Sequence, residues 1–345
     1  MYSKGCQMAV TREDVVRRAK VSAATVSYVI NGGPRPVSAE TREKVLKAIQ
    51  ELGYKPNAVA RNLRMQRTFT IGLVVPDFYN PYFAEVANGI EEAAMEKGYK
   101  VILLHSGYES AKEAQFVDLL RSERVEGVIW IPATSNLELP LKLSEFSIPT
   151  VVFDRVGTQS ELTAMVADNY SGGYIATRYL LDLGHRCIGY ISRPVDLSHS
   201  QGRMRGYLDA LKERGIQPDP NLIIHGGFSL EEGKRAFMEL MKASNCITAI
   251  FTFNDIMAMG ALRGAWEMGI KVPQQLSLVG FDDIPEAAFS CPALTTIHLD
   301  KVEMGRRGMQ LLFQLINGET PGPDSTKAVE VYLVERESTG PPPAG

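Results

Sequence analysis

The chain has 345 residues, 45% hydrophobic and 22% charged, which excludes global disorder and sets two or three folding units. No apolar run approaches the ~20 residues of a membrane helix. The stretch from Met1 to Val10 lacks the apolar core of a secretory signal, so a cytoplasmic protein is expected. The net charge of −3 hides a division: residues 1–67 hold 13 Lys and Arg against 5 Asp and Glu, a surplus of +8. The rest holds 24 against 35, or −11. A basic head on an acidic body points the head toward a polyanion. Cys6, Cys187, Cys246 and Cys291 are scattered without a CxxC pair, which argues against a disulfide framework or a cysteine zinc site and fits a reducing compartment.

In chain order, Thr11 is a good N-cap, and Arg12-Glu13-Asp14 place acids in the first turn of a helix with Val15, Val16 and Ala19 on one side. Lys20-Val21 is a tight connection, and Ser22 caps a second helix whose Val26, Val29 and Ile30 face the same core. Ala23, Ala24, Thr25, Ser27 and Tyr28 face away from it, and Asn31-Gly32-Gly33-Pro34 stops the helix. Ser38 caps a third helix with Val45, Leu46, Ile49 and Leu52 as its expected buried stripe and Gly53 past its end. Three short helices with a tight first turn follow the helix-turn-helix plan. The exposed face of the second helix is then the reading surface, its small residues allowing close approach to base edges. Pro56 breaks the chain, and Asn57 can cap a short hinge helix through Ala58, Val59 and Ala60. There Leu63 stands among Arg61, Arg64 and Arg67, an apolar residue suited to wedge between base steps.

Val10-Thr11 to Asp14-Val15, Ala19-Lys20-Val21-Ser22, Thr25-Val26-Ser27, Val29-Ile30-Asn31 and Thr41-Arg42 closely resemble the head of the lactose-repressor (LacI/GalR) family of bacterial transcription regulators. Leu52 to Leu63 resembles that family's hinge, and the resemblance puts its wedging leucine at Leu63. Family heads begin near Val10, so Met1 to Gln7 reads as an extension and Met8 as an alternative start. The expected DNA-contacting set is Thr11, Ser22, Ala23, Ala24, Thr25, Ser27, Tyr28 and Asn31 in the head, with Asn57, Ala60, Arg61, Leu63 and Arg64 in the hinge.

From Thr70 onward, short β-rich runs alternate with amphipathic helices. Strands are expected at 71–75, 101–104, 125–131 and 150–153, with a helix over 82–97. The cycle then restarts, with helices at 170–183, 201–214, 231–242 and 255–268 and strands at 187–192, 222–224, 249–251 and 276–281. That alternation predicts two doubly wound parallel-sheet lobes. A return crossing after Asp282 would put a helix over 301–317 in the first lobe and a last strand over 328–334 in the second. Open parallel sheets bind ligands beyond their strand ends. Tyr82, Phe83, Asp154, Arg155, His199, Arg203, Phe228, Asn254 and Asp282 all lie there, a mix of rings and polar groups suited to a small polar ligand between lobes. Asp282 and Asp283 are adjacent in sequence, so one is expected to face the ligand and the other to face elsewhere.

The body resembles the same family over almost its whole length, nearer its purine-repressor branch by pattern, and more distantly the periplasmic sugar-binding proteins. Asp168-Asn169 with Gly172-Gly173-Tyr174, Asp255 to Ala261 and Pro292 to Ile297 carry the likeness. The resemblance implies ligand roles for Tyr82, Phe83, Arg203, Phe228 and Asp282. The chain departs from the purine branch at Leu197 and His199, where that branch has arginine and threonine, which directs the expectation toward a sugar or sugar derivative.

No P-loop, GxSxG elbow, HExxH or zinc-spaced Cys/His set is present, so no enzyme, cofactor or metal site is expected. The reading is a ligand-responsive, sequence-specific DNA-binding regulator, a repressor acting as a homodimer on a palindromic operator. A solute-binding protein without a regulatory role is the alternative. The expected divisions are a helix-turn-helix domain over 9–55, a hinge over 56–68, a two-lobed effector and dimerisation domain over 69–338, and a disordered tail over 339–345.

Overall fold

Three helices, α1 (Arg12–Ala19), α2 (Ala23–Asn31) and α3 (Ala39–Leu52), pack around Val15, Ala19, Val26, Val29, Val45 and Ala48. The computed structural model describes residues 10–31, 36–54, 67–134, 136–154, 162–193 and 198–343, and the chain divides into two units between Thr68 and Phe69. In α1, Thr11 and Asp14 form a reciprocal capping box, and Lys20 ends the helix in the left-handed conformation. The Thr25 amide donates to Ser22 Oγ at 3.1 Å, and Ser38 caps α3 through the Thr41 amide. Arg18 of α1 pairs with Glu51 of α3 at 2.5 Å. Leu46, expected in the buried stripe, is instead 50% exposed. Its place is taken by Ala48, because Val45, Ala48, Ile49 and Leu52 keep the three-and-four spacing while Leu46 is turned ~100° off it.

The second unit holds two sheets. β1 (Thr70–Val75), β2 (Lys100–His105), β3 (Gly127–Trp130), β4 (Thr150–Phe153) and β5 (Thr163–Met165) are all parallel, in the order β2-β1-β3-β4-β5. Helices α4 (Pro81–Glu96), α5 (Ser110–Ser122) and α6 (Glu138–Glu145) belong to this lobe. The second sheet contains β6 (Ile188–Ser192), β7 (Ile223–His225), β8 (Ala249–Thr252), β9 (Ser277–Asp282), β10 (Thr295–Leu299) and β11 (Val331–Val334). Its order is β11-β10-β9-β8-β6-β7, parallel except for β11. Helices α7 (Asn169–Asp182), α8 (Ser198–Glu213), α9 (Leu230–Ala243) and α10 (Asp255–Glu267) accompany it.

Helix α11 (Lys301–Ile316) returns to the first lobe and lies against α4, β3 and β4. The chain therefore passes between lobes after β5, after β10 and again before β11. Val329 pairs with Ala167 where the first and last crossings run side by side. Close helix contact requires glycine at α4 and α11: a Cβ on Gly89 would lie 2.0 Å from the Val302 carbonyl oxygen, and one on Gly305 would lie 2.1 Å from that of Val86.

Two expectations need correction. The first tail residues, Thr339 and Gly340, are held rather than loose. Ser338 is buried and donates to the Leu278 carbonyl at 2.6 Å, Thr339 Oγ1 meets the Tyr179 hydroxyl at 2.9 Å, and the Gly340 amide donates to Ser277 Oγ at 3.0 Å. A Gly/Pro-rich composition says nothing of such partners, which lie far away in the chain. The scattered cysteines also include a pair: Cys187 and Cys246 form a disulfide. Each lies just before a strand, and the neighbouring strands β6 and β8, in register at Ile188 and Ala249, bring residues 59 apart together. Cys291 is free and exposed.

Candidate functional site

The head presents the outer face of α2. Ser22, Ala23 and Ala24 are exposed, and Thr25, Ser27 and Tyr28 are half-buried, while Val26 and Val29 turn inward. Thr11 and Ser22, expected to touch DNA, spend one hydroxyl lone pair each on capping the Asp14 and Thr25 amides. Asn31 is the last residue of α2. Asn57, Ala60, Arg61, Leu63 and Arg64 lie outside the described residues, as do Arg155 and Leu197.

In the body, the strand order reverses direction at β1/β3 in the first sheet and at β6/β8 in the second. Crevices form at such points, beyond the carboxyl ends of the strands. The residues following these four strands line one cavity. The first lobe contributes Asn80, Tyr82 and Phe83 beyond β1, and Ile131 and Pro132 beyond β3. The second contributes Arg193 and His199 beyond β6, and Phe253 and Asn254 beyond β8. Asp154 follows β4, and Asp282, which ends β9, lines the cavity beside Arg203.

Local sequence explains these positions. Asn80 caps α4 through the Tyr82 amide at 3.0 Å, with Pro81 as the first helical residue, so Tyr82 and Phe83 enter the cavity from the first turn. Asn254 caps α10 through the Met257 amide, which holds its side chain at the mouth of β8. The backbone of Arg203 is pressed against α7, where a Cβ on Gly173 would lie 2.3 Å from the Arg203 carbonyl oxygen. Asp282, which ends β9, adopts φ 107°, a conformation unfavourable for a residue with a Cβ and seen mainly where function demands it.

The polar groups are tightly connected. Arg203 donates from Nε to Asn169 Oδ1 at 2.9 Å, from Nη1 to the Phe253 carbonyl and from Nη2 to Asp282 Oδ1 at 3.4 Å. Its guanidinium carbon lies 3.4 Å from the Phe281 ring centre. The Tyr82 hydroxyl donates to Asp154 Oδ2 at 3.2 Å. Burial pushes the Asp282 carboxyl up to about 6, against the pull of Arg203 and Lys301. Burial likewise raises Asp154, with Arg203 opposing, and holds the Tyr82 phenol well above its ordinary range. Asp283 faces elsewhere. It accepts from His298 Nδ1 at 2.8 Å and from Arg336 at 2.6 Å; burial would raise its carboxyl, but these bonds outweigh burial and hold it below the ordinary value. The two adjacent aspartates therefore divide their directions, as their adjacency implied.

Of the sequence-expected effector set, Tyr82, Phe83, Asp154, His199, Arg203, Asn254 and Asp282 meet around this cavity. Phe228 does not line it. It stacks on Tyr108 at 3.9 Å between ring centres and is covered by the Arg193 guanidinium at 3.5 Å, both of which do line it. Tyr108 and Arg193 line the cavity and were missed from the sequence, although both closely follow strand ends, where the same rule would have found them. Among the described residues, no group of His, Cys, Asp and Glu could hold a metal ion. No helix among them is long and apolar enough to cross a membrane.

Comparison with known proteins agrees with this arrangement. Residues 11–57 match the bacterial regulatory proteins of the lacI family, and residues 68–337 match the periplasmic binding proteins and sugar binding domain of LacI family. The chain is similar to the HTH-type transcriptional repressor PurR of Klebsiella pneumoniae (strain 342), 39% identical over 337 residues, covering 96% of this chain and 98% of that one. It is similar to the solved transcriptional regulator CelR–cellobiose complex, with 33% identity and a TM-score of 0.73 over 95% of this chain and 99% of that one. It is also similar to the lac repressor dimer bound to operator and the anti-inducer ONPF, with 29% identity and a TM-score of 0.84 over 96% of this chain and 99% of that one. The chain therefore belongs to the lacI family of bacterial regulatory proteins, and it is a ligand-responsive DNA-binding regulator rather than an enzyme.

Proposed function

We propose that this chain is a cytoplasmic transcriptional repressor that binds a near-palindromic operator as a homodimer and answers to a sugar-like small molecule held in the cleft of its body. We assign residues 9–55 to the DNA-reading head, 56–68 to a hinge and 69–338 to the effector domain. The outer face of α2, from Ser22 to Tyr28, reads bases and phosphates. Asn57, Ala60, Arg61, Leu63 and Arg64 act at the hinge. In the cleft, Asp154, Asn254 and Asp282 take the ligand's hydroxyls, Arg203 orients Asp282, and the Tyr82 and Phe83 rings lie against its apolar face; Arg155 and His199 belong to the same site. The carrying observation is that the strand-reversal points of both sheets open on one cavity with an Arg203–Asp282 ion pair, 5% and 6% exposed, in its wall.

The repressor PurR, the cellobiose-bound CelR and the operator-bound lac repressor dimer support the reading by likeness. The test is selection of DNA fragments on the immobilised full chain, then gel shifts with pooled sugars. The expected result is enrichment of an inverted repeat and a change in its retention with at least one pool. Failure to retain any sequence above background overturns the regulator reading; retention unmoved by every pool overturns the effector reading alone.

A further inference from the structure

Cys187 and Cys246 stand just before β6 and β8, joined as a disulfide with 5.8 Å between their Cα atoms. Cys187 is half-buried and packs against the core that includes Ile247 and Ile250, whereas Cys246 is exposed. The Cys246 sulfur accepts a hydrogen bond from Ser244 Oγ at 3.2 Å, and Ser244 Oγ accepts one from the Cys246 amide at 3.3 Å. Beside the pair, the Thr248 amide donates to the Cys187 carbonyl at 3.1 Å, and the strand ladder runs on from Ile188–Ala249 to Ile191–Thr252. At the other ends of these strands, Arg193 and Phe253 line the cavity. The disulfide therefore lies at the amino end of the sheet, away from the cleft.

We propose that Cys187 and Cys246 are a redox-active thiol pair, opened and closed by exchange with small thiols and disulfides, and that Cys246 is the sulfur that reacts first. The site lies apart from the effector cleft and gives the chain a second chemical input. A cytoplasmic chain meets a reducing thiol pool, in which permanent disulfides are rare and those that form report oxidation. Cys246 offers an exposed sulfur, and the Ser244 hydroxyl steadies negative charge on it in the thiolate. The backbone ladder does not depend on the disulfide. It keeps the two sulfurs within reach of each other in the open state, which favours closure over capture by an outside thiol. Cys291 is exposed too, but it has no cysteine beside it among the described residues and stops at a mixed disulfide.

Closure runs in two steps. The Cys246 thiolate attacks one sulfur of a small disulfide such as glutathione disulfide, forming a mixed disulfide and expelling one glutathione thiolate. The Cys187 thiolate then attacks the Cys246 sulfur and expels the second. The two protein thiols lose two electrons and two protons, and the small disulfide takes them up as two thiols. Reduction is the reverse, begun by a glutathione thiolate at the exposed Cys246 sulfur. The closed form ties residues 59 apart, which restricts the unfolded chain and so stabilises the folded one.

The full chain carrying Cys6→Ser and Cys291→Ser keeps only this pair and is the test protein, with the wild type beside it. Each is held folded in glutathione mixtures of graded ratio, quenched in acid, alkylated and read by mass spectrometry. The reduced fraction is expected to follow the square of the glutathione concentration over that of its disulfide, from closed in the disulfide alone to open in millimolar glutathione. The thermal midpoint of the closed chain is expected to exceed that of the open chain by about 4–10 °C. With Cys187→Ser, Cys246 accumulates a mixed disulfide with glutathione; with Cys246→Ser, Cys187 does so about tenfold more slowly. A pair that stays closed in millimolar glutathione is a fixed cross-link and overturns the proposal. A pair that never closes in the disulfide alone, or equal midpoints for the two forms, overturns it as well. Faster capture at Cys187 than at Cys246 overturns the order of reaction.

Discussion

At the scale of single residues, two charged groups bear the strain of the cleft. Asp282 has a carboxyl raised from its ordinary 3.8 to about 6, and burial is the main cause. A carboxyl raised on folding adds stability at low pH, which is lost as pH rises through the folded value. The rise corresponds to about 3 kcal/mol. Asp282→Asn removes the titration, so the stability of the variant relative to wild type is expected to climb between pH 4 and pH 7 by an amount of that order. Urea unfolding of both proteins across this range measures it, and a flat difference would show that Asp282 is not desolvated.

Lys301, 2% exposed, is the second group. Its ammonium donates to the carbonyls of Asp282 at 2.6 Å and Asp283 at 2.8 Å and lies 3.5 Å from Glu85, so it braces the crossing segment against α4. Lys301→Met leaves these carbonyls without a donor and Glu85 without its cation. The expected cost is ~3–5 kcal/mol, read as a fall in the urea midpoint.

At the scale of elements, the sequence was most informative where period and caps agreed. Helix α4 is expected over 82–97 from the stripe Phe83, Val86, Ile90 and Ala93, and the structure places it at Pro81–Glu96. The return of α11 to the first lobe was legible too, but the crossing comes after β10 rather than after Asp282, because the sequence reading did not find that strand. What escaped was short or depended on distant partners. β5 has three residues and pairs only with β4, and too few positions remain for a period to show. The 338–340 segment is fixed by Ser277, Leu278 and Tyr179, none of which is near it in sequence. In the cleft, the residue types beyond the strands pointed correctly to Tyr82, Arg203 and Asp282 as neighbours. Phe228 reaches the cavity only through Tyr108 and Arg193, since a position after a strand does not say which neighbours a ring will meet. The hinge carries its own prediction. Leu63, apolar between Arg61 and Arg64, is expected to enter the minor groove. Leu63→Ala should weaken specific operator binding about tenfold and lessen DNA bending, with ligand affinity unchanged. Fluorescence anisotropy and circular-permutation gel shifts measure both, and an unchanged bend would rule out the wedge.

At the scale of the whole molecule, the unequal charge and the small size of the head set the mode of DNA binding. Residues 1–67 carry +8, whereas the remainder carries −11, so the head is drawn to phosphate and the body is repelled by it. One three-helix head reaches only a few base pairs, too few to single out a site. Two heads on a two-fold axis read an inverted repeat with half-sites ~34–36 Å apart, one helical turn. The head offers little surface for a dimer contact, since its core is six small buried side chains. The body has far more to offer. Trp266 and Phe289 remain 69% and 89% exposed on the second lobe, and Tyr79 89% exposed on the first, an arrangement suited to burial against a second copy. A dimer is therefore expected at micromolar concentration, and its affinity for the operator should fall steeply with salt, with a log–log slope of about −0.9 for each phosphate neutralised. Sedimentation equilibrium, followed by operator titrations at several salt concentrations, tests the two halves of this argument separately. A monomer that occupies a single half-site would remove the first, and an affinity indifferent to salt would remove the second.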